Sequence, residues 1–208
     1  MIGISMEYSI TDLKWRPIAV IIISTLLLVA DRYHNLFSNK VFDRTFFYLV
    51  IPLLVILIIF GEKPSKYGFQ FGLWRRGLVY VVVFGIGALG LMYALSLIPE
   101  FRSYYNPLIL SNPLPLPLMT FLDLFGWEFL FRGFLLFSLY EICGPYAILI
   151  QAVPFTIAHI GKPALETYSC ILGGTFFGWL AWRTRSFLYP FFLHWIIATS
   201  LIYFSNLP

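Results

Sequence analysis

Long apolar runs, broken only by short polar segments, restrict this chain more than any other feature. A run of about 18 or more residues with few charges is long enough to cross a hydrocarbon layer as a helix. Inside that layer every backbone N–H and C=O must be satisfied by the chain itself, so only helices and closed barrels can span it. The apolar residues here come in runs, without the period-two alternation of a barrel strand. Composition agrees: 60% of the residues are hydrophobic and 12% charged, against about 25% charged in soluble domains. The expected fold is all-α, a polytopic transmembrane helical bundle of about seven spans. They fall at residues 15–33, 45–60, 78–98, 118–142, 146–160, 164–182 and 187–204, with an eighth if 99–117 adds a half-span. Residues 1–117 read as N-terminal membrane helices with surface loops, and 118–208 as a core of four helices, within one integral membrane domain.

The first run follows a short polar lead, residues 1–14. It has the length of a signal-peptide core, but Asp31, Arg32 and His34 follow it in place of a small-residue cleavage site. It is therefore expected to stay as a helix. Residues 61–77 mix Glu62, Lys63, Lys66, Arg75 and Arg76 with Tyr67, Phe69, Phe71 and Trp74. That mixture fits a segment on the membrane surface or a solvated loop. Gly85, Gly87 and Gly90 would permit close helix packing in the third span. Pro107, Pro113, Pro115 and Pro117 predict an irregular segment before the fourth. Lys14, Arg16, Lys63, Lys66, Arg75, Arg76, Arg183 and Arg185 fall on one side of this topology. Arg32, Lys40, Arg44, Arg102 and Lys162 fall on the other, so the positive-inside rule favours a cytoplasmic N-terminus. The net charge of +4 is spread over loops. It forms no basic face of the kind nucleic acid requires. Cys143 and Cys170 have neither metal-ligand spacing nor a disulfide framework and read as packing residues.

Against this background the stretch Gly126-Trp127-Glu128-Phe129-Leu130-Phe131-Arg132-Gly133 stands out. It sets a carboxylate and a guanidinium inside an apolar run, where isolated charges cost roughly 2.5–3.5 kcal/mol each. Glu128 and Arg132 are four apart and share a helix face, acid before base, so they can pair. A pair inside a membrane points to a functional site, and a structural lock between helices is the alternative. His159, Glu166 and His194, with Gln151 as a weaker member, are the other strongly polar residues of the last four spans. Asp123 and Glu141, near the ends of the fourth span, read as interfacial. Burying two imidazoles and an acid is costly unless they compensate one another, which favours a shared polar cavity. A carboxylate and an imidazole can together deprotonate a water, and a second imidazole can donate to a developing oxyanion. Such parts suit hydrolysis of a peptide bond. Glu128, His159 and His194 would equally suit three zinc ligands with a fourth position open to water. The H-E-x-x-H arrangement of the zincins is absent.

Taken as a set, three segments resemble a known family. Glu128 to Gly133, then Phe155-Thr156-Ile157-Ala158-His159, then His194 four residues after Pro190 are similar to the three motifs of the CPBP family. These are the CAAX-processing and bacteriocin-processing intramembrane proteases, also called Abi. Gly144-Pro145, Gly173, Gly174, Gly178 and Arg183-Thr184-Arg185-Ser186 fall where that family has similar residues. The resemblance covers residues 118–199. It implies an intramembrane endopeptidase acting on a membrane-associated peptide or protein, in the cell membrane of a bacterium or archaeon. In that family a Glu-Glu pair opens the first motif, and its first Glu works with the second-motif His on the catalytic water. The third-motif His and an Asn four residues later stabilise the oxyanion. A zinc ion is a possible cofactor of the family and is left open. Here Trp127 stands in place of the first Glu, and Ala198 in place of the Asn. On this reading Glu128 or Glu166 activates water with His159, His194 stabilises the oxyanion, and Arg132 orients Glu128. Glu166 has a second reading, as a charge favoured by a helix N-terminus. Trp127 and Ala198 favour a competing function, a catalytically inactive relative that binds a membrane peptide or confers self-immunity. A proton-coupled transporter would also explain buried Glu and His.

Overall fold

The computed structural model describes residues 14–111 and 114–208. The polar lead up to residue 13 and Pro113 lie outside the described residues. The described residues form helices joined by turns and loops, with no strand among them. Helix α1 is Trp15–Tyr33, at the expected position. Helix α2, Lys40–Ile59, starts five residues earlier than 45. The side chain of Asn39 accepts the Val41 N–H at 3.0 Å and caps it, within a stretch expected from the sequence to be loop. Two turns of α2, Phe46–Val50 and Val55–Ile59, are π-helical. A short turn, Pro64–Tyr67, leads to α3, Trp74–Ser96.

The expected irregular segment is instead mostly helix. Helix α4 runs Pro99–Ser111 with Pro107 inside it. Pro99 costs nothing at the first helical position, where its missing N–H has no partner to lose. Helix α5, residues 116–143, contains α-helical Leu116–Glu128, a π-helical stretch Phe129–Leu135, and α-helical Leu136–Cys143. Pro115 and Pro117 frame its start, where proline is tolerated. After the turn Gly144–Tyr146 comes α6, residues 147–157. Helices α7, Ala164–Thr184, and α8, Leu188–Ser205, complete the chain.

Four helical stretches are long and apolar enough to cross a membrane: Lys40–Ile59, Trp74–Ser96, Leu116–Ile157 and Leu188–Ser205. The third, 42 residues long, joins two expected spans through the Gly144–Tyr146 turn. Helix α1 contains Arg16, Asp31 and Arg32, and α7 opens on Glu166, Thr167 and Ser169, so neither joins the four. The outward face of α3 exposes Val79, Val82, Val83, Ile86 and Leu91. An apolar face of that extent suits lipid rather than water. The chain is an integral membrane protein.

The π-helical stretch of α5 lies at the centre of the bundle. All seven of its residues, Phe129 to Leu135, are buried. A helix apolar all round has to be enclosed all round, and α1, α2, α7 and the 61–69 segment surround this one. Close approach is built in where glycine stands. A Cβ on Gly133 would lie 2.6 Å from the Phe129 ring and 3.0 Å from the Tyr67 carbonyl. Helix α7 meets α6 through Gly174 and Gly178, a small-xxx-small pair of the membrane type. Added Cβ atoms there would come within 2.8 Å of Phe155 and 2.5 Å of Gln151. The expectation for α3 is not met in the same way. Gly87 and Gly90 face open space, and Gly85 approaches Ile196 at an ordinary 3.5 Å; the close approach on α3 is at Gly77, which packs directly on the Tyr189 ring.

Candidate active site

Helix α5 presents consecutive residues to two different neighbours. Glu128 points to α8: His194 Nδ1 lies 2.6 Å from Glu128 Oε1. Arg132, four residues on, donates through Nη1 to the same oxygen at 3.0 Å. Both charged side chains are fully buried, so the pair read from the i, i+4 spacing is present at the depth expected. Glu128 Oε2 is buried without a hydrogen-bond partner, which leaves one carboxylate oxygen for a water or a substrate group. Trp127, one position earlier and about 100° around the helix, turns to α6. Its ring meets His159 edge-on at 5.6 Å and Tyr48 at 5.4 Å. Its buried Nε1–H has no acceptor.

The Phe155 ring is the floor on which these groups meet. Arg132 lies 3.9 Å over its centroid, and the His159 ring stands 4.5 Å away. His194 is at 6.1 Å and Trp127 at 6.2 Å. Phe177 adds a second face, 5.2 Å from the Arg132 guanidinium and 5.1 Å from the His194 ring. A guanidinium on aromatic faces in a dry site is well placed, worth roughly 2 kcal/mol or more when desolvated. Sequence reasoning passed over Phe155. Its one signal was position, a helical turn before His159 in the second motif.

The tautomers follow from the partners. His159 Nδ1 is 2.7 Å from the Phe155 carbonyl. A carbonyl only accepts, so Nδ1 carries the proton and Nε2 keeps its lone pair. His194 Nδ1 donates to the Glu128 carboxylate in the same way, leaving its Nε2 as the acceptor. Two imidazoles, each fixed through Nδ1 and each with a basic Nε2, therefore flank one aromatic ring. Gln151 is a scaffold member: its Nε2 donates to the Gly174 carbonyl at 2.7 Å and to the Ile148 carbonyl at 2.9 Å. Ala198, one turn past His194, offers no polar side-chain atom.

Glu166 is placed apart from this group. In the first turn of α7 it accepts from Tyr105 Oη at 2.5 Å and from Lys162 Nζ at 2.8 Å. Its neighbour Thr167 bonds the His159 carbonyl at 2.9 Å. Burial pushes the Tyr105 phenol above its usual range, with Glu166 adding to the shift. Burial opposes the Lys162 ammonium, yet Tyr105 and Glu166 outweigh it and hold that group above the lysine range. This cluster ties α4 to the turn before α7. Asp123 is held by Arg44, with both carboxylate oxygens 3.0–3.1 Å from Nη1. Glu141 faces Lys66 at 2.7 Å. Among the described residues no group of three His, Cys, Asp or Glu is gathered closely enough to hold a metal ion. Trp127 lies against His159 while Glu128 serves His194.

Residues 109–200 match the family described as Type II CAAX prenyl endopeptidase Rce1-like. The match covers every residue of the constellation, and it agrees with the CPBP resemblance of the three motifs. No curated protein and no solved structure matches the chain.

Proposed function

We propose that this chain is an intramembrane endopeptidase in which His194, aimed by Glu128, is the general base. The observation that carries this is the 2.6 Å contact between His194 Nδ1 and a fully buried carboxylate that Arg132 also holds. An acid on Nδ1 fixes the tautomer and stabilises the imidazolium that forms once Nε2 takes a proton. Nε2 of His194 removes a proton from water as the water oxygen attacks the scissile carbonyl. His159 Nε2 accepts from the same water and orients it. The imidazolium then returns its proton to the departing amine. The unpartnered Nε1–H of Trp127 is the donor available to the oxyanion. This assignment moves the base role from His159 to His194 and the oxyanion role from His194 to Trp127, because Glu128 meets His194 and not His159. Arg132 remains the residue that orients Glu128. Glu166, held by Tyr105 and Lys162, supports the fold around the site. The cation distribution supports a cytoplasmic N-terminus, with α1 and α7 as further spans.

A second reading, a peptide-binding protein without turnover, is favoured by the same indole, which fills space beside His159. The two are separated by reconstituting the purified chain in liposomes with a prenylated CAAX peptide and its unprenylated counterpart. Hydrolysis by the native chain, abolished in His194→Ala and Glu128→Gln with folding retained, supports the enzyme. Binding of the peptide with no product from any variant would establish the second reading.

A further inference from the structure

The cations that the sequence scatters over two loops converge on one cavity in the fold. It has a volume of about 530 Å3 and is lined by Lys66, Arg76, Arg183 and Arg185 together with Tyr140 and Trp182. The cavity is half open to solvent. It opens on the side that the positive-inside rule assigns to the cytoplasm. Tyr140 lies twelve residues beyond Glu128 on α5, about 18 Å along the helix, so the cavity is separate from the candidate active site.

The positive charge here is largely uncompensated. Lys66 pairs with Glu62 at 2.9 Å and Glu141 at 2.7 Å. Among the described residues, none of Arg76, Arg183 and Arg185 pairs with a carboxylate. Arg76, Arg183 and Arg185 are exposed, so water and salt screen their mutual repulsion, but together they set a positive field over the concavity that favours an anion. The backbone beneath is rigid and specific. Arg185 sits at φ 57°, the single non-glycine residue with positive φ among the described residues. Helices commonly end on glycine at such a left-handed cap, but here an arginine holds it. Gln70 Nε2 donates to the Arg185 carbonyl at 3.1 Å, and the Leu73 N–H to the Thr184 carbonyl at 2.8 Å. Gly72 packs directly on both carbonyls and leaves no room for a Cβ. The Phe187 N–H to Gly68 and the Tyr189 hydroxyl to Phe71 complete the clamp, at 3.2 and 2.6 Å. The two loops are thus locked together before any ligand arrives. Trp182 and Tyr140, rings 6.3 Å apart, supply the amphipathic side chains that settle at the headgroup level of a bilayer.

We propose that this cavity binds a phosphate group, presented by the headgroup of an anionic lipid of the cytoplasmic leaflet. Planar guanidinium forks match phosphate oxygens two at a time. Aromatic walls and the apolar Leu73 and Phe137 accept the glycerol end of the headgroup. The inference is independent of whether the chain hydrolyses peptides.

The test is thermal unfolding of the purified full chain in a neutral maltoside at 0.15 M salt. The probes are dihexanoyl-phosphatidylglycerol, dihexanoyl-phosphatidylcholine and inorganic phosphate. Phosphatidylglycerol is expected to raise Tm by about 4 °C or more, and phosphatidylcholine by no more than a quarter of that. The joint substitution Arg76→Gln, Arg183→Gln, Arg185→Gln abolishes the rise. Should that variant fail to fold, Arg183→Gln alone, on an exposed side chain, must halve it. Arg75→Gln, in the same segment but outside the cavity, leaves it intact. A rise with inorganic phosphate as well would identify the phosphate group itself, free in solution, as a sufficient ligand. The proposal is overturned if no probe shifts Tm. It is overturned equally if the shift survives the cavity substitutions or is lost as readily in Arg75→Gln, since the response would then be to surface charge alone.

Discussion

Removing the Glu128 charge should destabilise this protein more than removing the hydrogen bond that His194 gives to the same carboxylate. The substitution is Glu128→Gln, which keeps the side-chain volume and deletes the charge. At the 3.0 Å separation from Arg132 and an effective dielectric of about 20, the attraction lost is about 5.5 kcal/mol gross. Part of it was offsetting the desolvation of both ions, and the glutamine amide recovers part as hydrogen bonding. What remains is a guanidinium buried with no counter-charge, a state that costs about 3–5 kcal/mol when one partner of a buried pair is deleted. Arg132→Met should cost a similar amount for the mirror reason. The double variant should cost less than the two singles together, with a coupling of about 1–3 kcal/mol. His194→Ala loses one hydrogen bond to the carboxylate, about 1.5–3 kcal/mol, and should rank third. The assay is reversible unfolding in mixed micelles, with the native chain and all four variants titrated alike. A Glu128→Gln cost below 1 kcal/mol, or strict additivity of the two singles, would refute the claim that a charge pair holds the centre of the bundle.

Gly174→Ala would place a Cβ 2.8 Å from Phe155 and 3.2 Å from Ala152. Unfolding in detergent should show a loss of about 1–3 kcal/mol, whereas Gly87→Ala, facing open space, should be neutral or gain up to about 1 kcal/mol. Glu62 accepts from Tyr67 at 2.6 Å and from Arg16 at 2.7 Å. Burial raises its carboxyl, but the Tyr67 hydroxyl and the Lys66 ammonium outweigh that and hold it below the ordinary 4.5. Its contribution to stability is then complete above about 4.5 and is lost as pH falls through the lower folded value. A Tm profile from pH 6 to 3 should show an acid limb that is shallower in Glu62→Gln. Glu166→Gln should lower Tm while leaving peptide turnover within about threefold, since its carboxylate is bound to Tyr105 and Lys162; a loss of turnover beyond a hundredfold would return Glu166 to the site.

The sequence disclosed the helical class and the centre of the bundle through one kind of physics, the cost of burying what is not paired. Glu128 and Arg132 could be matched from spacing alone because both lie on one helix. Partners that join helices were not legible in that way. Whether Glu128 meets His159 or His194 depends on the rotation of α5 relative to α6 and α8, which no local pattern encodes. The engagement of Glu166 by Tyr105 was hidden for a different reason. Pro107 argued against a helix at 99–111, yet α4 forms with that proline inside it and carries Tyr105 into place. The convergence of Arg76, Arg183 and Arg185 was equally invisible, since a loop clamp more than a hundred residues apart in sequence brings them together.

Rotation of α5 also gives meaning to the position that differs from the family pattern. Consecutive residues on that helix serve different imidazoles, Trp127 facing His159 and Glu128 facing His194. A Glu-Glu pair on this backbone would give each histidine its own carboxylate. This chain keeps the second dyad and replaces the first with an indole. If the indole N–H is the oxyanion donor, Trp127→Phe should cut kcat by about a hundredfold or more, with little change in KM. If the indole only blocks the water site, Trp127→Phe should be silent and Trp127→Glu should create or raise turnover. Both measurements use the liposome assay with the prenylated peptide, and the outcomes are opposite in sign. A kcat unchanged in Trp127→Phe beside a gain in Trp127→Glu would remove Trp127 from the mechanism and make it a plug in an otherwise competent site.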